Sequence, residues 1–489
     1  MSLPLLLDHL KQTAALGQVA GLLSWDQEAM MPERGAAQRS EQAGAMASVL
    51  HARNADPRVA GWLASIDRDA LTPFDRRNCD EAQRAYDRAT KIPARLVEEI
   101  ARASSEGQRI WAAAREDKDF KAFAPVLQRN IALKREKAAC LAAPGTDLYD
   151  ALLDGFEPGA TTAELVPLFD SLRPGLVALR ERIAEKPKPE PLAGHFPADR
   201  QMALARKVAG RIGYDFSGGR IDKVVHPFCS GSGGDVRITT RTDEADPLNC
   251  LYSTIHEVGH ALYAQGAPDP FLPAGDYCSM GVHESQSRFW ENQIARSRPF
   301  ADWLYPAMRQ AFGGLDLDGP DTFYAAVNRV ETGFIRTEAD EVHYNLHIHL
   351  RFELERELMS GALEVEDLED AWNQRFARDF GRDVPDPSLG VMQDVHWAVG
   401  LFGYFPTYTL GNVYAACIDK AMRSAMPDRD DMVRAAETRP ILDWLRQHIH
   451  SRGRLLPAPR LIEEAAGEKP SAAPLLEYLE AKFGALYGL

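Results

Sequence analysis

The chain has 489 residues, 45% hydrophobic and 26% charged, which is a globular composition in a chain too long for one ordinary core. Its formal charge of −15 and pI near 5.4 argue against nucleic acid and anionic membrane as partners. No apolar run reaches the roughly eighteen residues of a membrane span, and the opening Met-Ser-Leu-Pro-Leu-Leu-Leu-Asp-His is too short and lacks the basic start of a signal peptide. The cysteines Cys79, Cys140, Cys229, Cys250, Cys278 and Cys417 are scattered without a C-x-x-C pair, which fits reduced thiols and a cytoplasmic location.

Helical periodicity dominates residues 1–185, with examples at 36–51, 95–115 and 123–141. The breaks fall at Met31-Pro32, Thr72-Pro73, Ile92-Pro93, Pro144-Gly145 and Pro158-Gly159. No repeat or low-complexity linker divides the chain, so one domain is expected over 1–489. Within it, the Lys186-Pro-Lys-Pro-Glu-Pro191 loop is the candidate boundary between a helical part, about 1–190, and a part carrying the metal motif, about 200–489. Residues 219–225 and 235–242 alternate, with Ser230–Gly234 between them. This predicts a small antiparallel sheet, whose edge could take up a substrate backbone or be a plain structural hairpin. Residues 251–263 and 281–295 then read as two helices. The loop between them contains Pro268, Pro270, Pro273 and Gly275, and is long enough to fold the second back on the first.

The chemistry is concentrated in His256-Glu257-Val258-Gly259-His260. On a helix, histidines at i and i+4 project from one face and can share a tetrahedral Zn²⁺. Glu257 lies one residue round the turn, placed to take a proton from the water that the metal activates. Ile255, Val258, Ala261 and Leu262 make this a buried helix, where such polar groups need each other or a metal. A third protein ligand is required. The metzincin histidine is absent, because Tyr263 and Gly266 occupy the positions it needs. Glu284 on the following helix is the expected third ligand, with His283 and Glu291 as rivals. Co²⁺ or Mn²⁺ could occupy the same donor set.

Further on, residues 334–352 read as one long helix. Its His343 and His347 could bind metal, although core histidines paired with carboxylates are the plainer reading. The polar cluster Gly390–Trp397 and the segment Gly403-Tyr-Phe-Pro-Thr-Tyr408 follow. His396, Tyr404 and Tyr408 are of the right types to donate to an oxyanion, though such residues taken singly are more often packed aromatics.

These residues carry a family resemblance. The chain resembles the carboxypeptidase Taq, or thermostable-type, metallocarboxypeptidases in five ordered blocks. They are Asp-x-Arg-x-Thr (Asp235, Arg237, Thr239), the motif at 256–260, His-Glu-Ser-Gln-Ser at 283–287, Ile-Arg-x-x-Ala-Asp (Ile335, Arg336, Ala339, Asp340), and Gly-x-x-Gln-Asp-x-His-Trp (Gly390, Gln393, Asp394, His396, Trp397). Ser24-Trp-Asp-Gln27 and Met31-Pro32 are similar to the family's opening segment. The resemblance implies a mainly α, saddle-like subunit with a deep central groove, usually a homodimer. It implies release of single C-terminal amino acids from peptides with broad specificity, proline being poor. It also implies His256, His260 and Glu284 as ligands and Glu257 as general base. A weaker resemblance to the angiotensin-converting-enzyme and oligopeptidase groups implies that the segment from His396 to Tyr404 supplies transition-state donors, Tyr408 being an alternative.

An exopeptidase must also read a terminal carboxylate, which arginine does with paired hydrogen bonds. Arg336 and Arg237, both in the family blocks, are the candidates, with Arg351 next. The alternative for each is an internal salt bridge to a carboxylate such as Asp235, Asp340 or Glu338. A helical zinc oligopeptidase and a non-catalytic peptide-binding protein remain as alternative functions.

Overall fold

Helix starts near the motifs are set by short polar side chains. In the computed structural model, which describes residues 2–489 and leaves Met1 outside, Asp246 accepts hydrogen bonds from the Leu248 and Asn249 amides. With Pro247 at the first helical position, it opens the paired-histidine helix Pro247–Gln265. Ser279 accepts from the Val282 amide and opens the shorter helix Met280–Arg288. The expected helices at 36–51, 95–115 and 123–141 are present as Ala36–Asn54, Ala94–Asp117 and Phe120–Leu141.

Two expectations change in detail. The helix read over 334–352 begins only at Glu341 and runs to Ser360. Asp340 is the reason: its carboxylate accepts from the Val342 and His343 amides and so caps the helix there. The residues before it form a loop with a short 3₁₀ turn at Arg336–Glu338, whose first amide donates to Gln393 Oε1 at 2.8 Å. The sheet, in turn, is not a purely antiparallel pair. Its strands are β1 (Gly219–Lys223), β2 (Cys229–Ser232) and β3 (Asp235–Thr240), in the order β1-β3-β2. Part of the glycine-rich stretch read as a turn is itself a strand. Ser232 pairs with Asp235 across Gly233-Gly234, and β2 runs antiparallel to β3. Gly233 supplies the positive φ of 61° that this tight connection needs. With one edge of β3 taken, β1 occupies the other edge and runs parallel to it.

The contacts within the chain define two units. One comprises the chain up to Thr90, Pro189–Asn328 and Tyr414–Pro470; the other comprises Lys91–Lys188, Arg329–Val413 and Ser471–Leu489. One crossing, from Lys188 to Pro189, falls in the proline-rich loop.

In the first unit, the paired-histidine helix packs on β3. Thr254 Oγ1 donates to Thr240 Oγ1 at 3.0 Å, and Thr240 Oγ1 to the Cys250 carbonyl at 3.1 Å. Ile255, Val258, Ala261 and Leu262 are completely buried. Gly259 lets the Met280–Arg288 helix come close. A Cβ there would lie 2.5 Å from both the Gln286 carbonyl oxygen and Ser287 Cα. In the second unit, fifteen of the twenty residues of Glu341–Ser360 are buried, so its polar members need internal partners. His343 has Asp340 at 2.9 Å and Thr332 at 3.0 Å, which makes it a satisfied core histidine. Among the described residues no helix is long and apolar enough to cross a membrane.

The close approach at Gly259 generates a prediction. Gly259→Ala forces two backbones apart and destabilises the protein by about 1–3 kcal/mol, read as a shift of the urea midpoint, with weaker metal binding. An unchanged midpoint would show that the contact is not tight.

Candidate metal centre and its surroundings

Both histidines face the second helix because they stand one turn apart on the same side of Pro247–Gln265. Their Nε2 atoms point at one carboxylate oxygen: Glu284 Oε2 lies 3.6 Å from His256 Nε2 and 3.3 Å from His260 Nε2. Ligand atoms around a tetrahedral zinc at about 2.0–2.1 Å stand roughly 3.3 Å apart, so this donor set of two imidazole nitrogens and one carboxylate oxygen fits such an ion. His256, His260 and Glu284 form the one group of this kind among the described residues, with all three ligand atoms within 4.8 Å of one another.

The rivals for the third position stand behind the histidines. Glu291 Oε2 accepts from His256 Nδ1 at 2.8 Å. The His283 carbonyl lies 3.1 Å from His260 Nδ1, and the His283 ring nitrogen Nδ1 lies 2.6 Å from it. Each Nδ1 is thereby occupied, and each Nε2 is left to face Glu284. Glu291 reaches its place from a π-helical turn, Phe289–Ala295, that continues the Met280–Arg288 helix; the Arg296 amide closes it onto the Glu291 carbonyl at 3.0 Å.

Arg288 joins the two acids, donating to Glu284 Oε1 at 2.7 Å and to Glu291 Oε2 at 3.1 Å. Burial opposes ionisation of both. For Glu284, Arg288 and the imidazoles outweigh burial and hold the carboxyl well below the usual range. For Glu291, Arg288 and His256 do the same, to about 2. Burial depresses His256, but Glu284 and Glu291 more than restore it. Glu257 behaves differently. Burial raises it, and the histidines only partly oppose that rise. No donor stands within hydrogen-bond distance of its carboxylate among the described residues, so its lone pairs are available to a proton.

A cavity of about 510 Å³ adjoins His283 within the same unit, lined by Trp25, Ser232, Arg237, Tyr277 and His450 among others. Arg237 is engaged there. It holds Asp235 with two hydrogen bonds at 2.8 and 2.9 Å, and its guanidinium lies 4.3 Å from the centre of the Trp25 ring.

The second unit gathers the remaining candidates. Arg336 and Arg351 converge on Asp394: Arg336 Nη2 is 2.8 Å from Oδ1, and Arg351 Nε is 2.7 Å from Oδ2. Both arginines therefore have an internal carboxylate, but it is Asp394; Asp340 serves His343 instead. Two guanidinium groups against one carboxylate leave an excess of one positive charge. Against the pull of burial, the arginines hold the Asp394 carboxyl well below its usual range. Burial drives His396 down to about 4, so it is neutral near pH 7. Its Nε2 lies 3.4 Å from the Tyr408 hydroxyl, and the Tyr404 ring packs 5.7 Å from the imidazole.

Reading the sequence missed Asp394 as the shared anchor, and it weighed Glu291 only as a ligand. A signal for Glu291 was present, because Arg288 and Glu291 follow Glu284 at helical spacing.

Comparison with known proteins places this geometry in a family. The profile of the carboxypeptidase Taq (M32) metallopeptidases matches residues 5–483. Thermostable carboxypeptidase 1 of Thermus thermophilus is 44% identical over 502 aligned positions, covering 99% of this chain and 98% of that protein. Carboxypeptidase 1 of Bacillus subtilis is 34% identical, with 98% and 97% covered. The crystal structure of the M32 carboxypeptidase of Deinococcus radiodurans R1 superposes with a TM-score of 0.96 at 37% identity over 100% of both chains. A structure of Pyrococcus furiosus carboxypeptidase gives 0.94 at 32% identity over 99% of each. The chain belongs to the carboxypeptidase Taq (M32) metallopeptidase family and is a metal-dependent enzyme that hydrolyses peptide bonds.

Proposed function

We propose that this enzyme holds one zinc ion on His256, His260 and Glu284 and releases single amino acids from the free C-termini of peptides with broad specificity. The observation that carries the reading is the convergence of His256 Nε2, His260 Nε2 and Glu284 Oε2, with both Nδ1 atoms held from behind. Zinc in this set supplies Lewis acidity, acidifying a water and polarising the scissile carbonyl. Glu257 accepts the proton of the attacking water and returns it to the leaving amine; burial, which raises its basicity, favours the first of these transfers. His396, Tyr404 and Tyr408 act as donors to the developing oxyanion, a role supported by their chemical type and by the neutral state of His396. Arg336 reads the terminal carboxylate, with Arg351 beside it. The support is the surplus positive charge around Asp394 in a chain whose net charge is −15. Arg237, held by Asp235 and Trp25 on the wall of the cavity beside His283, is the other candidate for that role.

The whole chain is proposed to act as one catalytic domain, because a single family profile spans it. A cytoplasmic location is favoured by the six cysteines, none of which forms a disulfide among the described residues. The homodimer rests on the family resemblance. Cobalt or manganese suits the same donors.

The decisive experiment is mass spectrometry of a blocked peptide with a free C-terminus, alongside its amidated twin. Stepwise loss of single residues is expected from the free peptide only. It should stop on chelation, and it should fall by about 10²–10⁴-fold in Glu257→Gln with zinc retained. Internal cleavage of both peptides would instead establish an oligopeptidase, and no cleavage by metal-replete protein would revive the non-catalytic reading.

Metal analysis tests the ligands separately. Glu284→Ala should lose the zinc, while Glu291→Gln should keep the ligands and bind it about 10–100-fold more weakly. Full occupancy in Glu284→Ala would remove Glu284 from the ligand set.

Arg336→Ala should lower kcat/KM for free-carboxylate peptides by about a hundredfold, an effect in the range of a truncated buried charge pair. Unchanged kinetics in Arg336→Ala and Arg237→Ala would withdraw the carboxylate assignment.

A further inference from the structure

One buried carboxylate in the second unit has no part in the chemistry above. Glu355, on the Glu341–Ser360 helix, is completely buried and forms no ion pair with any arginine or lysine among the described residues. Three neutral donors meet on it instead. Trp397 Nε1 donates to Oε1 at 2.8 Å, while the Tyr149 hydroxyl and the Gly403 amide donate to Oε2 at 2.7 and 3.0 Å. Trp397 directly follows His396, and Gly403 directly precedes Tyr404. One side chain therefore grips the loop beside each of those two residues.

The rest of the loop is held as closely. Asn130 Nδ2 donates to the Trp397 and Ala398 carbonyls at 3.1 and 2.7 Å. A Cβ on Gly107 would lie 2.2 Å from the Ala398 oxygen. Gly403 has a φ of 84°, and a Cβ there would lie 2.8 Å from the Leu153 amide nitrogen. Burial pushes the Glu355 carboxyl up to about 7, a sign of what its position costs. An apolar residue would fill the space more cheaply but could not accept three hydrogen bonds.

We propose that Glu355 is a positioning residue that holds His396 and Tyr404 in their working arrangement. This rests on the reading of those two as oxyanion donors. Glutamine at 355 keeps the volume but turns an N–H toward either Trp397 or Gly403, neither of which can accept it.

The test compares Glu355→Gln in two backgrounds, the wild-type chain and the double variant His396→Ala/Tyr404→Phe, with zinc content and thermal midpoint measured throughout. In the wild-type background, kcat should fall about tenfold or more with KM within about twofold. In the donor-less background the same substitution should cost less than about threefold, since coupled residues are not additive.

Wild-type kcat in Glu355→Gln, or an equal loss in both backgrounds, overturns the proposal. If the donor-less variant itself keeps full kcat, the oxyanion reading is what has failed. An equal Glu355→Gln loss in both backgrounds then overturns the positioning role as well. Should Glu355→Gln fail to fold, Tyr149→Phe reads the same coupling on a smaller scale. A loss of about threefold that vanishes in the donor-less background supports the proposal, and wild-type kcat overturns it.

Discussion

An imidazole has two nitrogens, and fixing the partner of one decides what the other can offer. At His256 the Nδ1 atom is tied to Glu291, and at His260 to the His283 carbonyl. Both Nε2 atoms consequently face Glu284 Oε2. Much of the first unit maintains this condition. Gly259 brings the two helices into contact, the π-helical turn carries Glu291 behind His256, and Arg288 bridges Glu284 and Glu291. Two buried acids beside each other would otherwise tend to take up protons, and Arg288 holds both of them ionised.

Glu257 shows the same physics with the opposite sign. It shares the helix and the buried environment of the paired histidines, but no arginine pairs with it, and burial raises it where Glu284 and Glu291 are lowered. Neighbouring carboxylates are thereby separated into two that are lowered and one that is raised, through their partners alone.

The second unit repeats that division. Asp394 lies between Arg336 and Arg351 and is a fixed charge; Glu355 accepts hydrogen bonds only from neutral donors, and burial raises its carboxyl to about 7. The first arrangement leaves a local positive surplus in a strongly acidic protein, which suits an anionic substrate end. The second provides geometry rather than charge, because three donors from separate parts of the chain must satisfy one side chain.

Features that depend on local spacing were legible in the sequence. The i, i+4 histidines, the intervening glutamate, the helix that follows and its Glu284 all come from residue order and helical period, and so do most of the long helices. Where a capping side chain competed with periodicity the reading slipped, as at Asp340, which starts its helix seven residues later than the apolar pattern suggested. The direction of β1 relative to β3 was equally hidden, because it depends on which edge β2 occupies, and a short glycine-rich strand resembles a turn. The partners of the charged groups lay further out of reach. Asp394 binds arginines 58 and 43 positions away, and Glu355 binds a tyrosine 206 positions away. Sequence by itself determined the chemical inventory and its local spacing, because a helix places i and i+4 on one face whatever surrounds it. Tertiary structure alone decided which carboxylate faces the two imidazoles, which stands behind them and which is left without a hydrogen-bond donor, because a buried acid takes its character from neighbours that the chain brings together only on folding.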